Sequence, residues 1–238
     1  SDYTIATTAT LSANITPAPL TISGNTSSVT FNNATHTNTY SSSGLLGSDS
    51  ISGVSGLASG VHAGSYTDSL SNATGSGLSN YSITYVNGSL TITPATLTVS
   101  GLSANNKVYD STTAATLNTS GAGLSGVVSG TTVSLNSTGY TATFADANVG
   151  TSKSVNVTGL SLSGANASDY TIATTATLSA NITPAPLTIS GNTSSVTFNN
   201  ATHTNTYSSS GLLGSDSISG VSGLASGVHA GSYTDSLS

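Results

Sequence analysis

The stretch Tyr170-Thr-Ile-Ala-Thr-Thr-Ala-Thr-Leu-Ser-Ala-Asn-Ile-Thr-Pro-Ala185 decides how this chain folds. Its apolar side chains fall on even positions, and its odd positions are mainly small or polar. Apolar residues at every second position indicate a β-strand with one face on a core and the other in water. The same alternation recurs at Tyr81-Ser-Ile-Thr-Tyr85 and at Tyr140-Thr-Ala-Thr-Phe144. No stretch shows the apolar period of about 3.6 residues that a helix needs, so we predict an all-β fold with essentially no helix.

The last four residues of this stretch, Ile-Thr-Pro-Ala, occur three times, at Ile15–Ala18, Ile92–Ala95 and Ile182–Ala185. The spacings are 92 − 15 = 77 and 182 − 92 = 90 residues, which indicates a short and a long module in alternation. Residues 1–71 return unchanged as residues 168–238, at an offset of 77 + 90 = 167. Because every identical copy adds the same increment of length, such an array suits a fibre or a stalk.

These repeats predict four segments. Residues 1–17 are the C-terminal strands of a truncated long module, 18–94 a complete short module, 95–184 a complete long module, and 185–238 a truncated short module. Two facing sheets bury alternating strands economically, so we predict a tandem array of small antiparallel β-sandwich (Ig-like) domains. The links contain proline and no Gly/Ser spacer, which predicts stiff, extended junctions.

Identical residues are expected to differ in exposure according to their place in the array. We expect the apolar residues of segment 1–17 to be exposed, namely Tyr3, Ile5, Leu11 and Ile15. Their copies lie in a complete module and are expected to be buried: Tyr170, Ile172, Leu178 and Ile182. Phe31 and Tyr109 are predicted to be buried anchors of their modules.

The composition limits the classes of function. The chain has no cysteine, only two basic residues, Lys107 and Lys153, and a formal net charge of −6. Nucleic-acid binding would lack its electrostatic contribution, so we expect no nucleic-acid partner. No apolar run approaches the roughly 18 residues of a membrane span, so we expect none. Few tryptic and few oxidisable sites suit an extracellular protein, but amplification of a repeat with few residue types would give the same composition, so the composition alone leaves both explanations open.

Several motifs resemble a known pair of repeat families. Lys107-Val-Tyr-Asp110, Phe144-Ala-Asp-Ala-Asn-Val-Gly-Thr151 and Leu160-Ser-Leu-Ser-Gly164 resemble the YDG repeat, although Ser111 stands where the motif has glycine. Residues 18–94 resemble the MBG repeat, with Phe31-Asn32 where many relatives have Tyr-Gly or Tyr-Asp. The resemblance assigns segments 1–17 and 95–184 to the YDG type, and 18–94 and 185–238 to the MBG type. It implies large bacterial filamentous-haemagglutinin-like adhesins or biofilm-matrix proteins, an extracellular or cell-surface location, and no catalytic residues.

Residues suited to chemistry are few, and we predict no catalytic, cofactor-binding or metal site. His36 and His62 lack partners at metal-ligand spacing, and a triad built on His62 and Asp68 would be accidental. A calcium ion held by Asp110, Asp146 and Asn148 stays an open alternative. The preferred interpretation of Asp110 is local, because its carboxylate can cap the turn at Ser111–Thr113.

The repeats and junctions predict a non-enzymatic, semi-rigid structural segment, and the resemblance implies that it belongs to a bacterial extracellular fibre or adhesin stalk. The expected partners are neighbouring repeats of the same chain. Lateral self-association into fibres stays open, as does the alternative function of a multivalent glycan-binding module with a polysaccharide partner.

Overall fold

The computed structural model describes residues 2–4, 11–136 and 138–238. The described residues form β-strands and two short 3-10 turns, Leu78–Asn80 and Ala167–Asp169, with no α-helix among them. The prediction of an all-β fold is therefore confirmed. In chain order, the strands are β1 (Ala18–Gly24), β2 (Thr26–Thr30), β3 (His36–Thr37), β4 (Tyr40–Ser43), β5 (Ser50–Ser55), β6 (Ser59–Gly60), β7 (Gly64–Thr67), β8 (Ser71–Ser76), β9 (Tyr81–Val86), β10 (Ser89–Thr93), β11 (Ala95–Thr96), β12 (Thr98–Ser100), β13 (Ser103–Ala104), β14 (Lys107–Val108), β15 (Leu117–Asn118), β16 (Gly123–Ser125), β17 (Ser134–Asn136), β18 (Thr141–Phe144), β19 (Gly150–Thr158), β20 (Ser161–Ser163), β21 (Tyr170–Thr171), β22 (Thr175–Thr183), β23 (Thr188–Gly191), β24 (His203–Thr204), β25 (Tyr207–Ser210) and β26 (Ser226–Gly227).

The chain divides into two compact units, and these do not follow the module boundaries. Unit 1 holds the described residues up to Thr98 together with Ser125–Ser134 and Leu162–Ile172. Unit 2 holds Val99–Leu124, the described part of Leu135–Ser161, and Ala173–Ser238. Segments of the long module therefore pack with the short module in unit 1.

In unit 1, the first and last strands of the short module run side by side in the same direction. β1 lies between β4 and β9, and β10 lies between β2 and β7. Both β1–β9 and β2–β10 are parallel, with one constant offset: 81 − 18 = 63 and 89 − 26 = 63 residues. The remaining pairs, such as β1–β4 and β7–β10, are antiparallel. The sheets are thus mixed, and the prediction of wholly antiparallel sheets is wrong in this respect. The chain enters and leaves the module in the same direction, so its first and last strands are parallel where they pair.

The core of unit 1 has two parts. Leu20, Ile22, Leu70 and Tyr81 form one buried cluster. The other part contains Phe31, which follows β2, and Leu90 and Ile92 of β10. Asn87 and Gly88 connect β9 to β10, and a Cβ on Gly88 would collide with the backbone of Gly24 and Asn25. This close approach of two backbone segments therefore requires glycine.

Unit 2 contains a four-stranded sheet in the order β14-β22-β19-β18. The long strands β19 and β22 are antiparallel, with a bulge between Gly150 and Lys153, and β14 is parallel to β22. The buried side chains of the sheet are Ala142, Phe144, Val155, Val157, Ala180 and Ile182. Residues 185–238 add two antiparallel strand pairs, β23–β25 and β24–β26.

The expected difference in solvent exposure between residues 1–17 and their identical copies is largely present. Tyr3 is 90% exposed and its copy Tyr170 is 6% exposed, while Ile15 is 100% and Ile182 1% exposed. Leu11 is exposed, whereas its copy Leu178 is half-buried, as is Ile172. Ile5 lies outside the described residues. The surroundings, and not the local sequence, therefore decide burial.

Candidate functional site at the junction of the repeats

The junction in unit 1 contains a single residue that is not in a strand. β10 ends at Thr93, Pro94 follows, and β11 begins at Ala95. The backbone remains hydrogen-bonded on both sides, since Phe31 N donates to Thr93 O at 2.9 Å and Leu97 N donates to Thr171 O at 2.8 Å. The proline costs no hydrogen bond here because it stands between two strands. The predicted extended, proline-containing link is present.

The buried carboxylate of Asp169 connects the two modules at this junction. Asp169, at the end of a 3-10 turn, is 1% exposed and lies against the loop after β6. Its Oδ1 accepts from Ala63 N at 2.8 Å, and its Oδ2 contacts His62 Nδ1 at 2.9 Å and Asn166 Nδ2 at 3.1 Å. Because an ionised carboxylate only accepts, His62 must carry its proton on Nδ1 for this bond. These groups join the short module to a segment of the long one.

The pKa of Asp169 results from opposing effects. Burial raises the pKa, and hydrogen bonds from His62, Ala63 and Asn166 outweigh it, so that the pKa lies below its ordinary value of 3.8. The ionised form is therefore the one that the junction stabilises. This contribution is present above pH 3.8 and is lost as the pH falls through the lower pKa of the folded state.

Aromatic packing adjoins the carboxylate. The rings of Phe31 and Tyr170 meet edge to face, with centroids 5.3 Å apart. The Tyr170 hydroxyl accepts from Val128 N at 3.0 Å and lies 2.7 Å from Thr131 Oγ1. An apolar ring with a satisfied hydroxyl is the usual state of a buried tyrosine. The prediction that Phe31 is a buried anchor is confirmed, since it is 2% exposed.

Tyr81 has the same place in the short module as Tyr170 has in the long one. Each follows a 3-10 turn and opens a strand, β9 or β21. The Tyr81 hydroxyl accepts from Leu46 N at 2.8 Å and donates to Asp49 Oδ2 at 2.8 Å. Burial, together with Asp49, raises the pKa of Tyr81. The recurring Ser-Asn-Tyr and Ser-Asp-Tyr sequences mark this position.

Unit 2 contains a second contact between modules. Tyr109 Oη donates to Asp216 Oδ2 at 2.8 Å, and this bond is the main reason that the pKa of Tyr109 is raised. Tyr109 is half-buried. The prediction that it is a buried core anchor is therefore wrong, because its ring reaches the following short module instead of the interior of its own.

The loop after Tyr109 is organised by Lys107. Its ammonium donates to Asp110 Oδ1 at 2.7 Å, Thr112 O at 2.7 Å and Ala114 O at 2.9 Å. Asp110 Oδ1 also accepts from Thr112 N, so the predicted turn cap is present. These bonds lower the pKa of Asp110 to about 2, with Lys107 as the largest cause. Ser111 keeps the left-handed conformation that its glycine-like position demands, at φ 62°.

The calcium alternative receives no support from these carboxylates. Asp110 is paired with Lys107, and Asp146 Oδ1 is paired with Lys153 Nζ at 2.6 Å and with Asn148 N at 2.8 Å. Because a lysine ammonium already pairs with each carboxylate, its positive charge would repel a calcium ion there. Within residues 2–4, 11–136 and 138–238, no group of three or more His, Cys, Asp or Glu could hold a metal.

His62 and Asp68 have separate partners. His62 contacts Asp169, whereas Asp68 accepts from Ala58 N at 2.7 Å and Asn38 Nδ2 at 2.9 Å. His36 Nε2 contacts Asn32 Oδ1 at 2.8 Å. The His62–Asp169 contact was not anticipated from the sequence, because the two residues are 107 positions apart.

No helix among the described residues is long and apolar enough to cross a membrane.

Comparison with known proteins agrees with this architecture. Residues 20–91 match the family model described as MBG domain (YGX type). Residues 93–177 match the family model described as YDG domain. Both are non-catalytic repeat domains, and no curated protein and no solved structure matches the chain. The chain therefore contains an MBG domain followed by a YDG domain, repeat domains that are typical of bacterial surface proteins.

Proposed function

We propose that this chain is a semi-rigid structural segment of a bacterial extracellular fibre or adhesin stalk, which gives length and scaffolding at the cell surface or in a biofilm matrix. The observation that carries the proposal is the junction at Pro94. The link is one residue long, and the backbone is hydrogen-bonded on both sides of it. The buried carboxylate of Asp169 also bonds the two modules together, so the link permits little hinge motion.

The repeat supports the same proposal. Since residues 168–238 repeat residues 1–71 unchanged, a junction of this kind can recur at every period. Regular recurrence of a stiff junction gives a length proportional to the number of periods. The partners that we propose are neighbouring repeats of the same chain and, in the native assembly, other fibres that associate laterally.

Multivalent glycan binding, the alternative, has weaker support. Sugar sites in this composition would need exposed tyrosine rings beside Asp or Asn side chains. Several tyrosine rings are instead buried or half-buried, and their hydroxyls bond to the backbone: Tyr66 to His62 O, Tyr81 to Leu46 N, Tyr85 to Ala73 N, Tyr140 to Leu117 N and Tyr170 to Val128 N. Saturable binding on a glycan array would nonetheless favour this alternative.

X-ray scattering from arrays of one, two and three 167-residue periods tests the proposal. We expect equal increments of maximum dimension, on the order of 60–80 Å for a period of two small domains. A Gly-Ser-Gly-Ser insertion after Pro94 should make the scattering that of flexible beads. The same insertion after Gly47, where the surroundings are open, is the matched control and should change little. Flexible scattering from the unmodified arrays would contradict the proposal.

A further inference from the structure

The short and the long module differ in charge at the end that meets the preceding repeat. Each has a three-residue 3-10 turn directly before the tyrosine that opens a strand. The last residue of this turn is Asn80 in the short module and Asp169 in the long one. The Asp169 carboxylate is bonded by two groups of the preceding short module, Ala63 N and His62 Nδ1. A long module therefore brings a buried negative charge to its junction, where a short module has a neutral amide.

The groups that bond Asp169 lie in a loop of the short module, residues 61–63, which we call the donor loop. Tyr66 organises this loop, since its hydroxyl donates to His62 O at 2.8 Å. The Tyr66 ring also lies against Gly60, where any Cβ would collide with it. These contacts hold the donor loop in the conformation in which Ala63 N meets the carboxylate.

The long module has a different loop at the same position. The sheet register identifies it, because Gly64 and Gly150 each pair with the isoleucine of an Ile-Thr-Pro sequence. Residues 147–149 therefore correspond to the donor loop, with Val149 in the place of Ala63. Valine would add two methyl groups beside a carboxylate that is almost fully buried, and overpacking of a filled site is destabilising.

The loop of the long module also carries charge of the wrong sign. Asp146 Oδ1 accepts from Asn148 N at 2.8 Å and from Lys153 Nζ at 2.6 Å, and these bonds organise the loop. No histidine is present in it, since Asn148 stands in the place of His62. The carboxylate of a following long module would thus have a like charge nearby.

An aromatic position gives a further difference between the two module ends. Phe31 N donates to Thr93 O, and Tyr109 N donates to Thr183 O, so the two aromatic residues correspond. Phe31 is 2% exposed and packs edge to face on Tyr170 of the long module. A preceding long module would bring the Tyr109 hydroxyl to this contact. A buried hydroxyl is unfavourable unless it finds a hydrogen-bond partner.

We propose that Asp169 and Tyr170 form a selective docking surface at the beginning of the long module. It accepts the end of a short module, with its donor loop and Phe31, and disfavours the end of another long module. The alternation of the two modules then follows from the fit at the junction. This inference rests on the proposed function, because it names the neighbouring repeat that a stiff junction requires.

The test is a chain in which one long module follows another. A second copy of residues 95–184 is inserted after Pro184, which preserves the Ile-Thr-Pro-Ala link. The matched control has residues 18–184 inserted at the same place, which preserves the alternation. Each chain then has two copies of residues 125–134, whose peptic fragments appear in one isotope envelope when hydrogen exchange is read by mass spectrometry.

The envelope reports both junctions of the chain at once. In the chain with adjacent long modules, we expect two equal populations. The copy that follows a short module should be protected, and the other should exchange at least about tenfold faster, as overpacking predicts. In the control we expect one protected population.

A substitution pair tests the same surface in the 238-residue chain. Phe31→Tyr with Ala63→Val gives the short module two residues of the long type, and should accelerate exchange in residues 125–134 at least about tenfold. The same pair in the identical copy, Phe198→Tyr with Ala230→Val, should leave this exchange unchanged. Selectivity also predicts coupling, so that Asp169→Asn should accelerate exchange less in the Phe31→Tyr/Ala63→Val chain than in the unsubstituted chain.

Three results would overturn the selectivity. They are one protected population in the chain with adjacent long modules, equal effects of the two substitution pairs, and strictly additive effects of Asp169→Asn. Each of these would leave the stiff junction of the proposed function intact. Rapid exchange of residues 125–134 in the unmodified chain would contradict the proposed function and the selectivity together.

Discussion

Asp169→Ala should weaken the junction more than any exposed acidic substitution. The carboxylate is 1% exposed and accepts from Ala63 N, the Asn166 amide and His62. Hydrogen bonds to a charged group contribute about 1.5–3 kcal/mol each. His62 adds little, because its side chain is 65% exposed and exposed ion pairs contribute about 1 kcal/mol or less. We therefore expect the opening free energy of the junction to fall by about 3 kcal/mol.

Native-state hydrogen exchange measures this change. Fragments from residues 125–134 are unique in the sequence and lie in unit 1, where Val128 N donates to Tyr170. A loss of about 3 kcal/mol corresponds to exchange that is roughly 100-fold faster when opening is rapid. His62→Ala should accelerate exchange by less than about tenfold.

The repeat supplies matched controls. Asp2 and His229 are sequence-identical copies of Asp169 and His62. Asp2 is exposed, so Asp2→Ala and His229→Ala should leave exchange in residues 125–134 unchanged. If Asp169→Ala gave no faster exchange than Asp2→Ala, the carboxylate would not hold the junction and the reasoning would be refuted.

Three further predictions follow from the same contacts. Phe31→Ala should cost about 3–5 kcal/mol in urea unfolding, whereas Phe198→Ala, in the exposed copy, should cost about 0.5 kcal/mol or less; equal costs would contradict the assigned burial. Ser111→Gly should stabilise the chain by about 0.5–1 kcal/mol, because it relieves a left-handed serine, and a lower urea midpoint would contradict this. On acidification below about pH 4, exchange in residues 125–134 should accelerate, because protonation of Asp169 removes its contribution; Asp169→Asn should abolish this pH dependence, and an unchanged profile would exclude Asp169 as its source.

Much of the local structure could be predicted from the sequence. Alternation in Tyr170–Ile182 predicted strands, and β21 and β22 lie there. The Ile-Thr-Pro-Ala links predicted that one module's last strand runs directly into the next module's first strand. This is the case at Pro94, since β10 ends at Thr93 and β11 begins at Ala95. These features follow from the pleat and from proline geometry, both of which depend on neighbours in sequence.

Strand direction could not be predicted in the same way. A period of two specifies which face of a strand is buried and does not specify whether its neighbour is parallel. The parallel pairing of β1 with β9 depends on contacts that are 63 residues apart, as 81 − 18 shows. The alternation at Tyr81–Tyr85 is equally compatible with an antiparallel neighbour.

Most of the candidate site could not be predicted from the sequence, for a related reason. His62 and Asp169 belong to different modules, and nothing near either residue in sequence identifies the other. Tyr109 was predicted to be a buried anchor of its module, like Phe31, but its hydroxyl reaches Asp216 of the next module. One signal was present: Ser-Asn-Tyr81 and Ser-Asp-Tyr170 repeat a polar residue before a buried tyrosine.

The most direct test of the central claim is the distance distribution across the Pro94 junction. Because the chain has no native cysteine, nitroxide labels can be placed at Ser48→Cys and Ser129→Cys, both exposed and both in unit 1. Double electron–electron resonance should give one narrow distribution, which broadens when Gly-Ser-Gly-Ser is inserted after Pro94. A broad distribution in the chain without the insertion would contradict a stiff junction and, with it, the proposed role as a semi-rigid stalk.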